Sequence, residues 1–353
     1  MRSKTGLFNI LTTAMAILIS LAIAFVIIFI VSEQPMQAIR SLLFGPVSSL
    51  RNFGTVIEMM IPITFTGLAV SIMFQASQFN LAAEGSFFLG ALAAAAVATQ
   101  LSLPPIAIII VCLLAGAAAG LVVSSIPAVL KARFSASEMV SSLMLNYIVL
   151  FFGLFVLNHY LRDPGFGMMA SFPIPDIAKL TQFVPKTRIH VGLFIAILFV
   201  VVIWLLLYKT KRGYSIRTLG HNEKFAHYSG IGVGGAMISS QMIGGAVAGL
   251  GGSVELLGMY DRFQWTALPG YGWDGVIIAI LARNKPQYVV LAALFLAYLR
   301  IGSGIMARMT DVPSELITII QAIMIMLVTA QALFSKLKHK MVVKETIANG
   351  NVN

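Results

Sequence analysis

Four carboxylates stand inside long apolar runs: Glu84, Glu138, Glu255 and Asp274. A charge at membrane depth costs roughly 2.5–3.5 kcal/mol on insertion scales, so such residues face a partner, a cavity or a pathway. Glu84 lies in FNLAAEGS (79–86), with Gln75, Gln78 and Ser86 close in sequence. Asn80 and Glu84 are four apart and share one face if the stretch is helical. Glu138 lies in SASEMVSSLMLNYI, where Ser135 and Glu138 have capping-box spacing, a purely structural use of the carboxylate. Ser142 and Asn146 follow, again four apart. Asp274 sits in PGYGWDGVIIAIL between Trp273 and Gly275. Two readings of these groups stay open. In the first, Asn80, Glu84, Asn146, Trp273 and Asp274 line a path for a small polar solute, and Trp273 and Phe79 offer stacking faces to a planar one. In the second, the polar groups bond to one another or to backbone exposed beside the glycines.

Covalent chemistry has no constellation here. The chain contains no G-x-x-x-x-G-K-[ST], H-E-x-x-H or G-x-S-x-G motif. Cys112 is the single cysteine, set in an apolar run as a small core residue. The five histidines lie at loops or span ends, and His221 and His227, six apart, are poorly spaced for two ligands on one helix. No catalytic residue, metal site or cofactor is expected.

The elements that must position these groups are membrane spans. The chain has 353 residues, 58% hydrophobic and only 10% charged, with a mean hydropathy of +0.91; soluble domains carry about 25% charged residues. An all-α, polytopic bundle follows. A spanning helix needs about 20 apolar residues, which gives ten candidate spans: 7–31, 55–75, 85–100, 105–130, 137–160, 190–208, 232–257, 271–282, 287–303 and 313–334. The segments 85–100 and 271–282 are short enough to be partial or broken helices, tolerated where protein or a polar cavity covers the backbone. The uncharged run from Thr5 to Ser32 is too long for a cleaved signal core and reads as a retained first span.

The net charge of +11 reports orientation rather than nucleic-acid binding. With the N-terminus inside and ten spans alternating, the cytoplasmic side receives 15 of the 24 basic residues, including Lys131, Arg133, Lys209, Lys211, Arg212, Arg217, Lys224, Arg283 and Lys285. The bias places both termini in the cytoplasm. Residues 1–335 then form one transmembrane domain, followed by a tail, 336–353, that is partly disordered at its polar end. On the outer side, Glu33–Gly54 has room for a surface-lying helix. The Pro-rich loop 161–189 holds Pro164, Pro173, Pro175 and Pro185, which argues for a shaped connector with little helix. AGAAAG (115–120) and GGAVAGLGG (244–252) suit close helix packing in lipid.

The longest basic interruption, 209–231, reads KTKRGYSIRTLGHNEKFAHYSGI. Asn222 suits an N-cap, Glu223 a first turn and Gly230 a C-terminal stop, giving a helix of about two turns. A solvated loop and a docking element for another protein are both compatible with that pattern.

Four stretches in this order, FNLAAEG (79–85), SEMVSSLMLNYI (137–148), RTLGHNEKFAHYSGI (217–231) and PGYGWDGVIIAILARNKP (269–286), resemble permease subunits of ABC importers over residues 55–335. The similarity is to the branch that handles simple sugars, branched-chain amino acids and nucleosides, and within it to nucleoside permeases. The resemblance implies a multi-pass subunit of a bacterial cell membrane that performs no catalysis itself. It implies cytoplasmic ATP-binding subunits, a second permease, by analogy a paralogue, and an extracellular substrate-binding lipoprotein; membrane lipid surrounds the chain and nucleic acid is no partner. It implies two inverted halves. It also implies that the coupling loop (209–231) carries a helix docking on the ATPase, with Leu219, Gly220, Asn222, Ala226, Gly230 and Ile231 at the motif positions. His221 and His227 vary that motif. Simple sugars or branched-chain amino acids are the alternative solutes. An ion-coupled secondary transporter using Glu84 or Asp274 is the alternative mechanism.

Overall fold

The computed structural model describes Ile19, residues 22–313, and residues 315, 318, 319, 322 and 323. Among these residues all regular structure is helical apart from two isolated bridges. Residues 7–18 of the expected first span 7–31, most of the last span 313–334 and the tail 336–353 lie outside the described residues. The helices are α1 (Ala22–Val31), α2 (Pro35–Phe44), α3 (Leu50–Gln75), α4 (Ala83–Gln100), α5 (Pro105–Phe134), α6 (Glu138–Val156), α7 (Gly192–Lys209), α8 (Lys211–His221), α9 (Glu223–Tyr228), α10 (Val233–Met259), α11 (Tyr271–Leu281) and α12 (Pro286–Met309). Six are long and apolar enough to cross a membrane: α3, α5, α6 with its π turn to Leu161, α7, α10 and α12.

The described residues form two compact units, one within Ser49–Tyr298 and one within Met1–Ser48 and Leu299–Asn353. In the latter, α2 starts at Pro35, where the missing N–H costs nothing. Asp311 accepts from Ser32 Oγ at 2.6 Å and from the Glu33 amide at 2.8 Å, fixing the turn between α1 and α2.

The larger unit is built around α3 and α10, which are almost enclosed, while α5, α6 and α7 leave most of their surface open. Helix α10 packs on α5, α4 and α3, and α11 packs on α3. The crossing of α5 and α10 depends on glycine. A Cβ at Gly120 would meet the Gly249 Cα at 2.8 Å, and one at Gly249 would meet the Gly120 Cα at 2.9 Å. In lipid, where apolar surface gains nothing by leaving water, such backbone approach is a main source of helix association.

Three local expectations are corrected. Residues 209–231 hold two helices: Thr210 Oγ1 accepts from the Gly213 amide at 3.1 Å and starts α8 one residue after α7 ends. Asn80 is not on a helix with Glu84. Its Oδ1 accepts from the Ala82 amide at 2.6 Å, a local turn that competes with helix and holds α4 off until Ala83. The capping box of Ser135 and Glu138 does not form. Ser135 takes φ 54° and closes α5, so it cannot adopt the extended backbone of an N-cap; Ser137 caps α6 instead.

Candidate functional site

Helices α4 and α11 both begin inside the bundle. Ser86, in the first turn of α4, bonds to Ser124 of α5 at 3.0 Å. Ser124 lies ten residues, about 15 Å, before the end of α5. Helix α11 has 11 residues, about 16 Å. It runs beside the second half of α3 in the same direction: Gly275 lies against Thr66, Gly67 against Ile278, and Gln75 Nε2 donates to the Asn284 carbonyl at 2.7 Å. Two helix N-termini therefore meet inside the bundle.

Glu84 joins them. Its carboxylate accepts from the Gly270 amide at 2.6 Å and from the Gly272 amide. Gly270, with φ +85°, is the N-cap of α11 and has no side chain to offer. A carboxylate from α4 thus does in trans what an N-cap side chain does in cis, and the negative charge sits near the positive ends of two helix dipoles. Gly272 is glycine because a Cβ there would lie 2.6 Å from Glu84 Oε2 and 2.7 Å from the Glu84 amide nitrogen.

The irregular backbone of 76–82 is satisfied by side chains, as membrane depth requires. Ser142 Oγ accepts from the Leu81 amide at 3.0 Å. Asn146 donates to the Leu81 carbonyl and accepts from the Gly85 amide, each at 3.0 Å. Asn80 Nδ2 donates to Gln241 Oε1 of α10 at 2.5 Å, and Gln241 in turn donates to Gln78 at 3.4 Å. Asn80, Glu84, Asn146 and Asp274 are all buried, and the first three are engaged in holding backbone or helix ends. Trp273 differs: it is 52% exposed.

Sequence reasoning passed over Gln241, a lone amide inside an apolar run, which was a usable signal. It also passed over the aromatic group above α11. Phe87 stacks with Trp265 at 5.8 Å and meets Tyr271 edge-on at 5.1 Å, while Tyr271 donates to Glu255 at 3.2 Å. Trp265 lies in an irregular connector with no periodicity to reveal it.

The basic end is built differently. Arg217 donates to the Leu207 carbonyl at 2.9 Å and lies 4.9 Å over the Tyr208 ring, closing the C-terminus of α7. Leu219 is buried on α8. A Cβ on Gly220 would overlap the Gln75 carbonyl oxygen, and Ser77 Oγ donates to the Gly220 carbonyl at 2.8 Å. Asn222 accepts from the Phe225 amide at 3.0 Å, starting α9. Gly230 at φ +76° ends that turn, with the Ile231 amide bonded to the Ala226 carbonyl at 3.0 Å. Ala226 is fully buried, whereas Phe225 and Tyr228 are 57% and 87% exposed. Lys131 pairs with Glu138 at 3.0 Å, and Glu138 also accepts from the Phe79 amide at 3.3 Å.

At the opposite end the Pro-rich loop docks on the α10–α11 connector. The Ser171, Ile174 and Leu180 amides donate to the carbonyls of Phe263, Asp261 and Leu257. Arg262 pairs with Asp163 at 2.6 Å and holds that carboxyl below its usual range. Lys179, bonded to Asp261 at 2.6 Å, does the same for Asp261. Buried His190 accepts from the Gly192 amide at 3.1 Å, and burial pushes its pKa down to about 4. Among the described residues no group of three metal-ligating side chains occurs.

Spanning helices, two further helices that begin inside the bundle and a short helix with exposed aromatics at the basic end define a multi-pass membrane protein of permease type. The family model described as "Branched-chain amino acid transport system / permease component" matches residues 52–329. The chain belongs to that family and is a permease subunit of an ABC importer in the cell membrane. It is 31% identical to the guanosine ABC transporter permease protein NupP of Bacillus subtilis over 95% of this chain and 98% of the relative. It is 31% identical to the glucose ABC transporter permease protein TsgB13 of Haloferax volcanii, over 92% and 88%. The nucleoside ABC transporter permease protein NupB of Lactococcus lactis is 26% identical over 94% and 93%. No solved structure matches the chain.

Proposed function

We propose that this permease subunit forms part of the inward translocation pathway for nucleosides or a closely related small polar solute, driven by separate ATP-binding subunits docked on α9. In this reading ten spans place both termini and the 209–231 loop in the cytoplasm. A second permease, a paralogue, completes the pathway, and an external binding lipoprotein supplies solute to the face formed by the Pro-rich loop. The two halves are inverted repeats: α3 and α4 correspond to α10 and α11, each pair being a long helix followed by an irregular segment and a shorter helix, of 18 and 11 residues. Such pairs mark the transport site in other transporter folds. Leu219, Gly220, Asn222, Ala226, Gly230 and Ile231 shape and anchor the docking element. Asn80, Glu84, Asn146, Trp273 and Asp274 belong to the mid-depth region through which solute passes, with Trp273 offering the stacking face.

The observation that carries the coupling role is the contrast within α9. One small residue, Ala226, is buried, while two large aromatics, Phe225 and Tyr228, face outward on a helix of 6 residues. A helix that short has no stability of its own, so its exposed aromatic pair is best explained by a protein groove that receives it. The names of two relatives, NupP and NupB, favour nucleosides over the glucose named for TsgB13.

Uptake of labelled guanosine, adenosine and glucose in a deletion strain carrying the full chain tests the solute. Nucleoside uptake competed by nucleosides alone is expected, and glucose-only uptake would overturn the assignment. F225A/Y228A should abolish uptake with unchanged expression and lose crosslinks from a cysteine at Lys224 to an ATP-hydrolysing protein. Full uptake by that variant would refute docking at α9.

A further inference from the structure

We propose that the groove between α5, α7 and α10 binds an anionic phospholipid, with one acyl chain lying along α10 and the phosphate held at Arg212. The groove has a volume of about 800 Å³. Its floor is one face of α10, from Gly232 through Ala236, Ile243 and Val247 to Leu250. Leu114–Leu121 of α5 forms one wall and Phe199–Leu206 of α7 the other. Helix α7 packs on α3 and α8 and touches α10 only sparsely, which leaves the slot open.

Its dimensions select the occupant. Gly232 to Leu250 spans 18 residue steps, about 27 Å, so the mean cross-section is about 30 Å². An α-helix about 10–12 Å across has a section of roughly 80 Å² or more and could seat only side chains in the slot. A single hydrocarbon chain fits. The floor was not closed by packing: a Cβ on Gly232 or on Gly235 would meet nothing within 4 Å, unlike the crowded glycines further along α10.

The charge pattern selects the headgroup. Arg212, with Ser215 next to it, lines the end of the groove at the basic loop, and among the described residues no acidic side chain lines the groove. Arg212 is exposed and makes no hydrogen bond or ion pair among the described residues. Lys209 and Lys211 flank it. A guanidinium that is unpaired at the mouth of an apolar slot matches a phosphate joined to an acyl chain, by bidentate bonding and by its position at the interface.

The test uses the full-length chain in phosphatidylcholine nanodiscs containing phosphatidylglycerol that bears a diazirine on one acyl chain. After irradiation, labelled peptides are mapped by mass spectrometry. Label should concentrate on Leu114–Leu121 and Gly235–Leu250 over the exposed α6 face at Phe151 and Phe152. Unlabelled phosphatidylglycerol should compete, and phosphatidylcholine and inorganic phosphate should not. R212Q should lower groove labelling about fivefold and leave α6 labelling unchanged. G235F should remove groove labelling while the thermal midpoint stays at the wild-type value, because its side chain enters open space. Equal labelling of groove and α6, indifference to both variants, competition by phosphate alone, or disulfide trapping of G235C against another protein chain would each overturn the assignment.

Discussion

Glu84 separates a structural carboxylate from a pathway carboxylate, because the two roles respond oppositely to conservative substitution. In Glu84→Ala, the Gly272 amide is left buried without an acceptor, at about 1–3 kcal/mol. The Gly270 amide is half-buried and recovers part of its loss from water, so it adds at most about 1 kcal/mol. The start of α11 should therefore loosen by about 1–4 kcal/mol. Tenfold corresponds to 1.36 kcal/mol, so amide exchange across 268–276 should rise roughly fivefold to a thousandfold. Glu84→Gln keeps one acceptor but turns an NH2 towards the other amide, and should fall between wild type and alanine. Hydrogen–deuterium exchange on the purified chain, with uptake measured in parallel, reads both quantities. If Glu84→Ala exchanged at the wild-type rate in this segment, the trans-capping argument would be wrong. If Glu84→Gln kept wild-type exchange but lost all uptake, the carboxylate would be contacting solute rather than holding a helix end.

Three further outcomes follow from the same structure. Gly220→Leu should lower the thermal midpoint and not merely uncouple transport, since its Cβ would enter the Gln75 carbonyl; scanning fluorimetry of the variant beside F225A/Y228A distinguishes the two effects. Asn146→Leu, similar in volume, leaves the Gly85 amide and Leu81 carbonyl without their partners and should cost about 2–4 kcal/mol in the same unfolding assay. His190 has a folded pKa of about 4 against about 6.5 in an unfolded chain, so between these values only the unfolded state takes the proton. Its stabilising contribution is complete above pH 6.5, declines as pH falls towards 4 by up to about 3 kcal/mol, and should be flattened in His190→Asn when unfolding is followed from pH 7.5 to 4.5.

Span positions were legible because apolar runs broken by charge carry that information directly; α7 and α10 lie within two residues of their expected bounds. The cap of α9 was legible too, since Asn222 and Gly230 act through local backbone chemistry. Helix α8 was not: KRGYSIRTLGH is polar on most sides, and its order comes from Leu219 and Ile216 being buried and from Arg217 closing α7. Asn80 and Glu84 were identified as polar groups at depth, but the spacing argument assumed a helix that the Asx turn interrupts. Ser135 failed for a related reason, because two helices competed for the same residues and α5 ran four residues past its expected end at 130, closing through Ser135. The partners of Glu84 lie 186 and 188 residues away, and no single-sequence pattern encodes a pairing at that distance.

The junctions also constrain how motion at α9 could reach α11. The end of α8 rests on the end of α3 through Gly220 against Gln75 and through Ser77, and Gln75 bonds to Asn284 just beyond α11. The other end of α11 is bonded to Glu84 on α4. A force on α9 passes into α8, and from there both to α7, tied to α8 through Arg217, and to α3, from which the Gln75–Asn284 bond carries it to α11. Helix α11 is short and tied at each terminus, so it transmits a displacement as a rigid rod of about 16 Å. Helices α5 and α10 are locked by glycine backbone contact and offer a fixed frame. Under the proposed coupling, cutting the Gln75–Asn284 bond should weaken the link between ATP hydrolysis and uptake more than it weakens either the fold or solute binding. The reason is that it removes a tie between moving parts, not a support of the frame.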